Sequence, residues 1–177
     1  MLTVLSIRAA ENKDFCSVRD FYYSLIDGFE QMKYSPGWKK GIYPTDEYLL
    51  DSIKNGELYI GEIEGNIAAC MVVNHKYNEG YKGIKWSVEA ADPELLVIHI
   101  LGVLPAYSGR GTAKQMVRRV IETARENNIK TIRLDVLIGN IPAEKLYTKM
   151  GFNYLETVRM YYEDTGWTEF KLFEYII

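Results

Sequence analysis

Cysteine, histidine and proline are scarce in this chain of 177 residues, which holds two, two and five of them. Cys16 and Cys70 stand far apart with no Cys-x-x-Cys, which argues against a disulfide framework, a zinc ribbon or a thiol-redox motif. Two reduced, mostly buried thiols are expected. His75 and His99 fit no ligand spacing, so no metal is expected. No apolar run approaches the ~20 residues of a membrane span, and Met1–Ala10 is too short and too polar for a secretion signal. A cytoplasmic protein without a membrane partner is the expectation. Internal repeats, low-complexity tracts and Pro/Ser-rich linkers are also missing, which leaves a single domain over residues 1–177. A net charge of −3 argues against nucleic acid as a partner.

What is present is ample apolar sequence, 47% of the chain, in patterns that alternate between strand and helix periods. Thr3–Arg8 reads as a short strand. Asp14–Met32 carries Phe15, Val18, Phe21, Tyr22, Leu25 and Ile26 at helical spacing, and Thr45-Asp46-Glu47 starts a second helix that stops near Asn55-Gly56. Leu58–Glu64 and Ile67–Asn74 form a hairpin around Glu64-Gly65-Asn66. Residues 78–93 are polar and irregular, a surface loop. Leu95–Leu104 is uniformly apolar, as a strand covered on both faces would be. Ala113, Met116, Val117, Val120, Ile121 and Ala124 then make one stripe of a helix from Gly111 to about Asn127. Thr131–Ile138 is a strand, Pro142–Met150 a short helix, and Phe152–Tyr162 with Trp167–Ile176 a hairpin around Asp164-Thr165-Gly166. The order predicts a mixed α/β sandwich with a strand–helix–strand unit at its centre.

The junction inside that unit carries the chemistry. Residues 103–113 read Val-Leu-Pro-Ala-Tyr-Ser-Gly-Arg-Gly-Thr-Ala, so a strand feeds a glycine turn that opens a helix. The first N–H groups of a helix lack internal partners and sit at the positive end of its dipole, a setting for phosphate oxygens. A Walker loop would need four residues between its glycines and then Gly-Lys-Ser/Thr, and a dinucleotide fingerprint a third small residue where Lys114 stands. Neither fits. Seven basic residues from Arg110 to Arg133 face only Glu122 and Glu126, a local balance of +5 in a chain of net −3. Such a collar suits the phosphates of a nucleotide-bearing molecule, and the acidic remainder suits a cationic amine.

The spacing Val103-x-Pro105-x-Tyr107-x-Gly109-x-Gly111-x-Ala113 resembles the acetyl-CoA pyrophosphate loop of the GNAT N-acetyltransferase superfamily. About thirty residues on, Asn140-x-x-Ala143-x-x-Leu146-Tyr147-x-x-x-Gly151-Phe152 resembles its second signature. The likeness covers most of the chain, although the first 90 residues match only in outline. It implies a central, mostly antiparallel sheet flanked by helices. It also implies acetyl-CoA as co-substrate, held by Gly109, Arg110, Gly111, Thr112, Ala113 and Lys114, by the main chain of Leu101, Gly102 and Val103 on a splayed strand, and by Asn140 and Tyr147. Ser108 departs from the family's usual Gln or Arg, which weakens one contact with the co-substrate.

Acetyl transfer to an amine needs proton removal from a nucleophile of pKa near ~10.4, donors for the carbonyl oxygen, and a proton for the departing thiolate. Tyr147 is the expected acid. The base is open between His99, in Val97-Ile98-His99-Ile100-Leu101, and Asp135, in Arg133-Leu134-Asp135-Val136. An acceptor that arrives neutral would need neither. By period-two alternation His99 shares a strand face with Val97, Leu101 and Val103; relatives with a glutamate on this strand place it at Val97, which cannot serve. Asp135 could equally pair with Arg133 or a backbone amide. Trp38, Tyr43, Tyr81 and Trp86 are expected to rim the acceptor pocket, His75 to be structural, and Asn140 to cap its helix. The acceptor expected is a small-molecule amine, with a protein N-terminus or lysine as the alternative. A non-catalytic CoA-binding module and a longer acyl chain stay open, and a homodimer is compatible with all of them.

Overall fold

The computed structural model describes residues 4–177 and consists of one seven-stranded sheet with helices on both faces. Strands β1 (Ser6–Ala9), β2 (Leu58–Ile63), β3 (Asn66–Asn74), β4 (Leu95–Val103), β5 (Thr131–Leu137), β6 (Asn153–Tyr162) and β7 (Gly166–Ile176) lie in the order β1-β2-β3-β4-β5-β7-β6. Every neighbouring pair is antiparallel except β4 and β5, which run parallel. The expected first strand is shorter and shifted, and its Thr3 lies outside the described residues. No helix among the described residues is long and apolar enough to cross a membrane.

Helix α1 (Phe15–Asp27) and helix α2 (Asp46–Lys54) cover one face, and helix α3 (Thr112–Glu126) and helix α4 (Ile141–Lys149) the other. The expected stripe of α3 is buried at Met116, Val117, Val120, Ile121 and Ala124, with Thr112 rather than Ala113 completing it. Each of its larger side chains contributes roughly 1.5–3 kcal/mol by leaving water. Helix α1 stops at Asp27, short of the expected Met32. Gly28, a poor helix former, caps it, and residues 29–31 turn so that Phe29 packs 6.0 Å from the Trp38 ring. Thr45 caps α2 by accepting from the Tyr48 N–H. Cys70 is buried as expected, but Cys16 is exposed, because α1 presents that position to solvent.

Residues 78–93 replace a helix over β4, β5, β7 and β6. Tyr81 is buried there with Leu95, Val97, Met160, Phe170 and Leu172. Glu174, fully buried, accepts from the Ser87 N–H at 2.7 Å, Thr131 Oγ1 at 3.1 Å and Arg133 Nε at 3.4 Å. Arg133 also donates to the Val88 carbonyl at 2.7 Å and stacks its guanidinium 4.3 Å from the Trp86 ring. The network therefore holds the long connection onto the sheet. Replacing Glu174 by Ala strands a buried guanidinium, and chemical denaturation should show a loss of roughly 3–5 kcal/mol. A loss under 1 kcal/mol would mean that the network does not fasten this segment.

Candidate active site

Strand β4 leaves its parallel neighbour early. The two pair only at Leu95↔Thr131, Leu96↔Ile132 and Val97↔Arg133, and then diverge. On its other side β4 stays with β3, but Cys70 pairs with Gly102 and Val72 with His99, so Met71 alone opposes Ile100 and Leu101. This bulge puts Ile100 at φ 43°, a conformation strained for a β-branched residue. The buried Tyr22 hydroxyl donates to the Ile100 carbonyl at 2.8 Å and holds the bend from α1. Alternation breaks as a result. His99 and Ile100 turn toward α1 and the loops on that face, while Leu101 and Val103 pack against the α3 side. His99 therefore keeps Val97 as a face-mate but not Leu101 or Val103, contrary to strict period-two spacing.

At the end of β4 a single turn at Pro105–Tyr107 leads to Gly109 and Gly111, at φ 73° and 79°, and then to α3. Gly111 occupies the N-cap without a side-chain cap, and the first helical bond is Gln115 N–H to the Gly111 carbonyl at 3.0 Å. The N–H groups of Thr112, Ala113 and Lys114 are therefore without helical acceptors. Nothing lies within 4 Å of where a Cβ on either glycine would stand, so the space before these amides is open. Thr112 Oγ1 donates back to the Tyr107 carbonyl at 3.0 Å and fixes the turn. Arg110, Lys114 and Arg118 are exposed and form no ion pair among the described residues.

Between the diverging strands lies a cavity of about 100 Å³. His99, Asp135, Asn140 and Tyr147 line it, as do Trp38, Tyr43, Tyr162 and Asp164. Asp135 Oδ2 accepts from the Tyr81 hydroxyl at 2.7 Å and the Tyr162 hydroxyl at 2.9 Å. Burial raises the Asp135 carboxyl above the usual range, and the two phenols pull it part of the way back. The alternative partner, Arg133, is committed to Glu174. His99 is joined to Asn74, whose amide nitrogen donates to Glu57 and whose Oδ1 accepts the Lys76 N–H. Its Nε2, 2.9 Å from that Oδ1, is therefore the protonated ring nitrogen. Burial lowers the imidazole to about 4, so it is neutral at pH 7. Burial raises the Tyr147 phenol well above its ordinary value, and the nearby Asp135 charge adds to that.

The expected residues thus converge, with two corrections. Asn140 stands at the N-cap of α4 but makes no side-chain cap, which leaves its amide to the cavity. A Cβ on Gly102 would lie 2.6 Å from Leu25 Cδ2, so the glycine lets α1 pack closely there. Trp38 and Tyr43 do rim the cavity, whereas Tyr81 and Trp86 sit behind it, on Asp135 and on Arg133. His75 is structural, its Nδ1 2.6 Å from the Leu95 carbonyl. Sequence reasoning assigned no role to Asp164, which reads locally only as a turn former, or to Tyr162, which reads as one of fourteen tyrosines.

Residues 21–152 match the family model described as the acetyltransferase (GNAT) family, and the chain belongs to that family. It is 33% identical over 87 residues to the N-alpha-acetyltransferase RimI of Mycobacterium tuberculosis, covering 49% of this chain and 52% of that one. Across the first four curated relatives that match, the chain spans between 27% and 62% of their length. Its fold matches a GNAT-family acetyltransferase of Streptococcus agalactiae at TM-score 0.81 and 21% identity, over 100% of this chain and 98% of that one. It also matches Arabidopsis thaliana NAA60 in complex with acetyl-CoA, at TM-score 0.71 and 18% identity, over 98% and 99%. At those identities the likeness establishes the fold.

Two measurements test the site's construction. The His99 value of about 4 lies below its ordinary ~6.5, so unfolding takes up a proton at intermediate pH. Its contribution to stability is present above ~6.5 and lost as pH falls through about 4, on the order of 3 kcal/mol in all. His99→Gln should flatten that acid limb, and an unchanged slope would show the ring is not held neutral. Gly111→Val forces a β-branched residue to φ 79° and should lower CoA affinity at least tenfold with little change in melting temperature. Equal affinity would remove the helix start as the phosphate site.

Proposed function

We propose that the protein is an N-acetyltransferase that moves the acetyl group of acetyl-CoA to a small primary amine by direct attack on the thioester. One observation carries this: the gap opened by the parting of β4 and β5 brings together Asn140, Tyr147, Asp135 and His99, and the chain of β4 runs on through the Pro105–Tyr107 turn to an uncapped helix start. The residues fit the co-substrate. The open amides of Thr112, Ala113 and Lys114 would take its diphosphate, with Arg110 and Lys114 adding charge. Main-chain groups of Leu101, Gly102 and Val103, past the last β4–β5 rung, would pair with its pantetheine arm and carbonyl oxygen, and Asn140 with the arm alone. Bound acetyl-CoA supplies an activated acyl group on a thiol leaving group.

Tyr147 keeps its proton throughout the working pH range and offers it as a hydrogen bond to the sulfur as the C–S bond breaks. Asp135 is the better-placed proton acceptor. Burial raises it above the ordinary carboxylate range, whereas the same effect lowers His99 to about 4, so that it serves by orienting the amine or a water. No covalent enzyme intermediate is needed, and neither cysteine lines the cavity.

A small acceptor is favoured over a polypeptide because the cavity is small, about 100 Å³. A Cβ on Gly37 would stand 2.8 Å from Thr165 Cγ2, so the loop before Trp38 closes against the β6–β7 turn. Thiol release from acetyl-CoA should rise with small amines and polyamines, and less with peptides. Tyr147→Phe should lower kcat roughly a hundredfold with CoA affinity retained. Release unchanged by Tyr147→Phe would remove the phenol as the acid, and release raised by no amine would favour a CoA-binding module without turnover.

A further inference from the structure

The cavity wall carries a second carboxylate that the reaction as described leaves unused. Asp164, at the tip of the β6–β7 hairpin, is only 5% exposed, yet it lies on the same cavity as Asp135. Its Oδ1 is buried and has no hydrogen-bond partner among the described residues. A buried carboxylate oxygen left without a donor is costly and calls for a partner, such as a ligand, an ion or a water, to complete it. No Lys or Arg lines the cavity; Lys39, on the facing loop, acts on Asp164 only at a distance, without an ion pair. The same cavity is also lined by Trp38, Tyr43 and Tyr162, aromatic side chains of the kind that accommodate a cation.

These two carboxylates cannot do the same work. Asp135 is positioned by two phenols beside the proposed reacting centre. An acceptor nitrogen must shed its proton before it attacks, and an ion pair with Asp164 would hold that proton in place. A cation held by Asp164 therefore has to be one that does not react. We propose that Asp164 anchors a second, non-reacting ammonium of the acceptor, so that the substrate class is a slender diamine or polyamine acetylated at the end remote from Asp164. This rests on the acetyl-transfer reading and adds the acceptor's chemistry to it. The close approach of Gly37 to Thr165, the residue after Asp164, narrows the room for bulky groups at the anchored end.

The test pairs each α,ω-diamine with the monoamine of equal chain length, with acetyl-CoA as donor and kcat and KM measured separately. Wild-type protein should prefer the diamine by roughly tenfold to a hundredfold in kcat/KM, mostly through KM. Asp164→Asn, which preserves shape, should erase that preference, mainly by raising the diamine KM, with the melting temperature unchanged or raised. Asp164→Glu should restore the preference with a shifted optimum of chain length. Equal use of mono- and diamines by wild-type protein, or a preference that survives Asp164→Asn, overturns the anchor alone and leaves acetyl transfer standing. Thiol release by no amine of the series overturns both.

Discussion

The site depends on a strand that abandons its neighbour. Three rungs join β4 to β5, and beyond Val97 the two part, so a row of main-chain groups in the middle of a sheet is left to face a gap. Buried, unpaired backbone is unfavourable in water-excluded protein, and the fold keeps it only because the surroundings over-determine the bend. Tyr22 fixes the bulge at Ile100, Gly102 lets α1 approach closely, and the antiparallel partner β3 holds β4 from the other side. The same divergence gives Asp135 and Tyr147 a common space, although β5 points Asp135 to one face of the sheet and α4 brings Tyr147 from the other.

Electrostatics divides this space in two. Around the start of α3 there are unpaired basic side chains, open amides and glycines in left-handed conformation, an arrangement for anions. Across the gap the wall is acidic and aromatic, with a neutral imidazole and no basic side chain, an arrangement for a cation. The proposed transfer from an anionic carrier to a cationic acceptor would take place at the boundary between them. Under that proposal the product amide would carry one positive charge fewer than its parent ammonium, which would weaken its hold on the acidic wall and favour departure.

Much of this was legible in the residues. The glycine turn, the uncapped helix start, the stripe of α3 and the Asn140–Tyr147 helix are local patterns whose period and spacing carry their own meaning. Nearly every strand and helix boundary fell within a few residues for the same reason. What failed was non-local. One bulged residue, opposite Met71, reverses the facing of Leu101 and Val103, and nothing in an apolar run announces it. The partners of Asp135 come from positions 81 and 162, brought in by the connection over the sheet and by the last hairpin. Asp164 looked like a turn former because its meaning depends on where the hairpin tip lands.

The connection from 78 to 93 illustrates how secondary structure and rigidity part company. It has two short single turns and no regular element, yet Ser87, Val88, Trp86 and Tyr81 are each fastened to a buried charged group of β5 or β7. Tyr81 reaches from this segment to the Asp135 carboxylate on the cavity wall. Shortening or lengthening the connection would therefore not be the neutral surface edit its irregular outline suggests, since a shift of its backbone would be transmitted through one phenol to the orientation of Asp135.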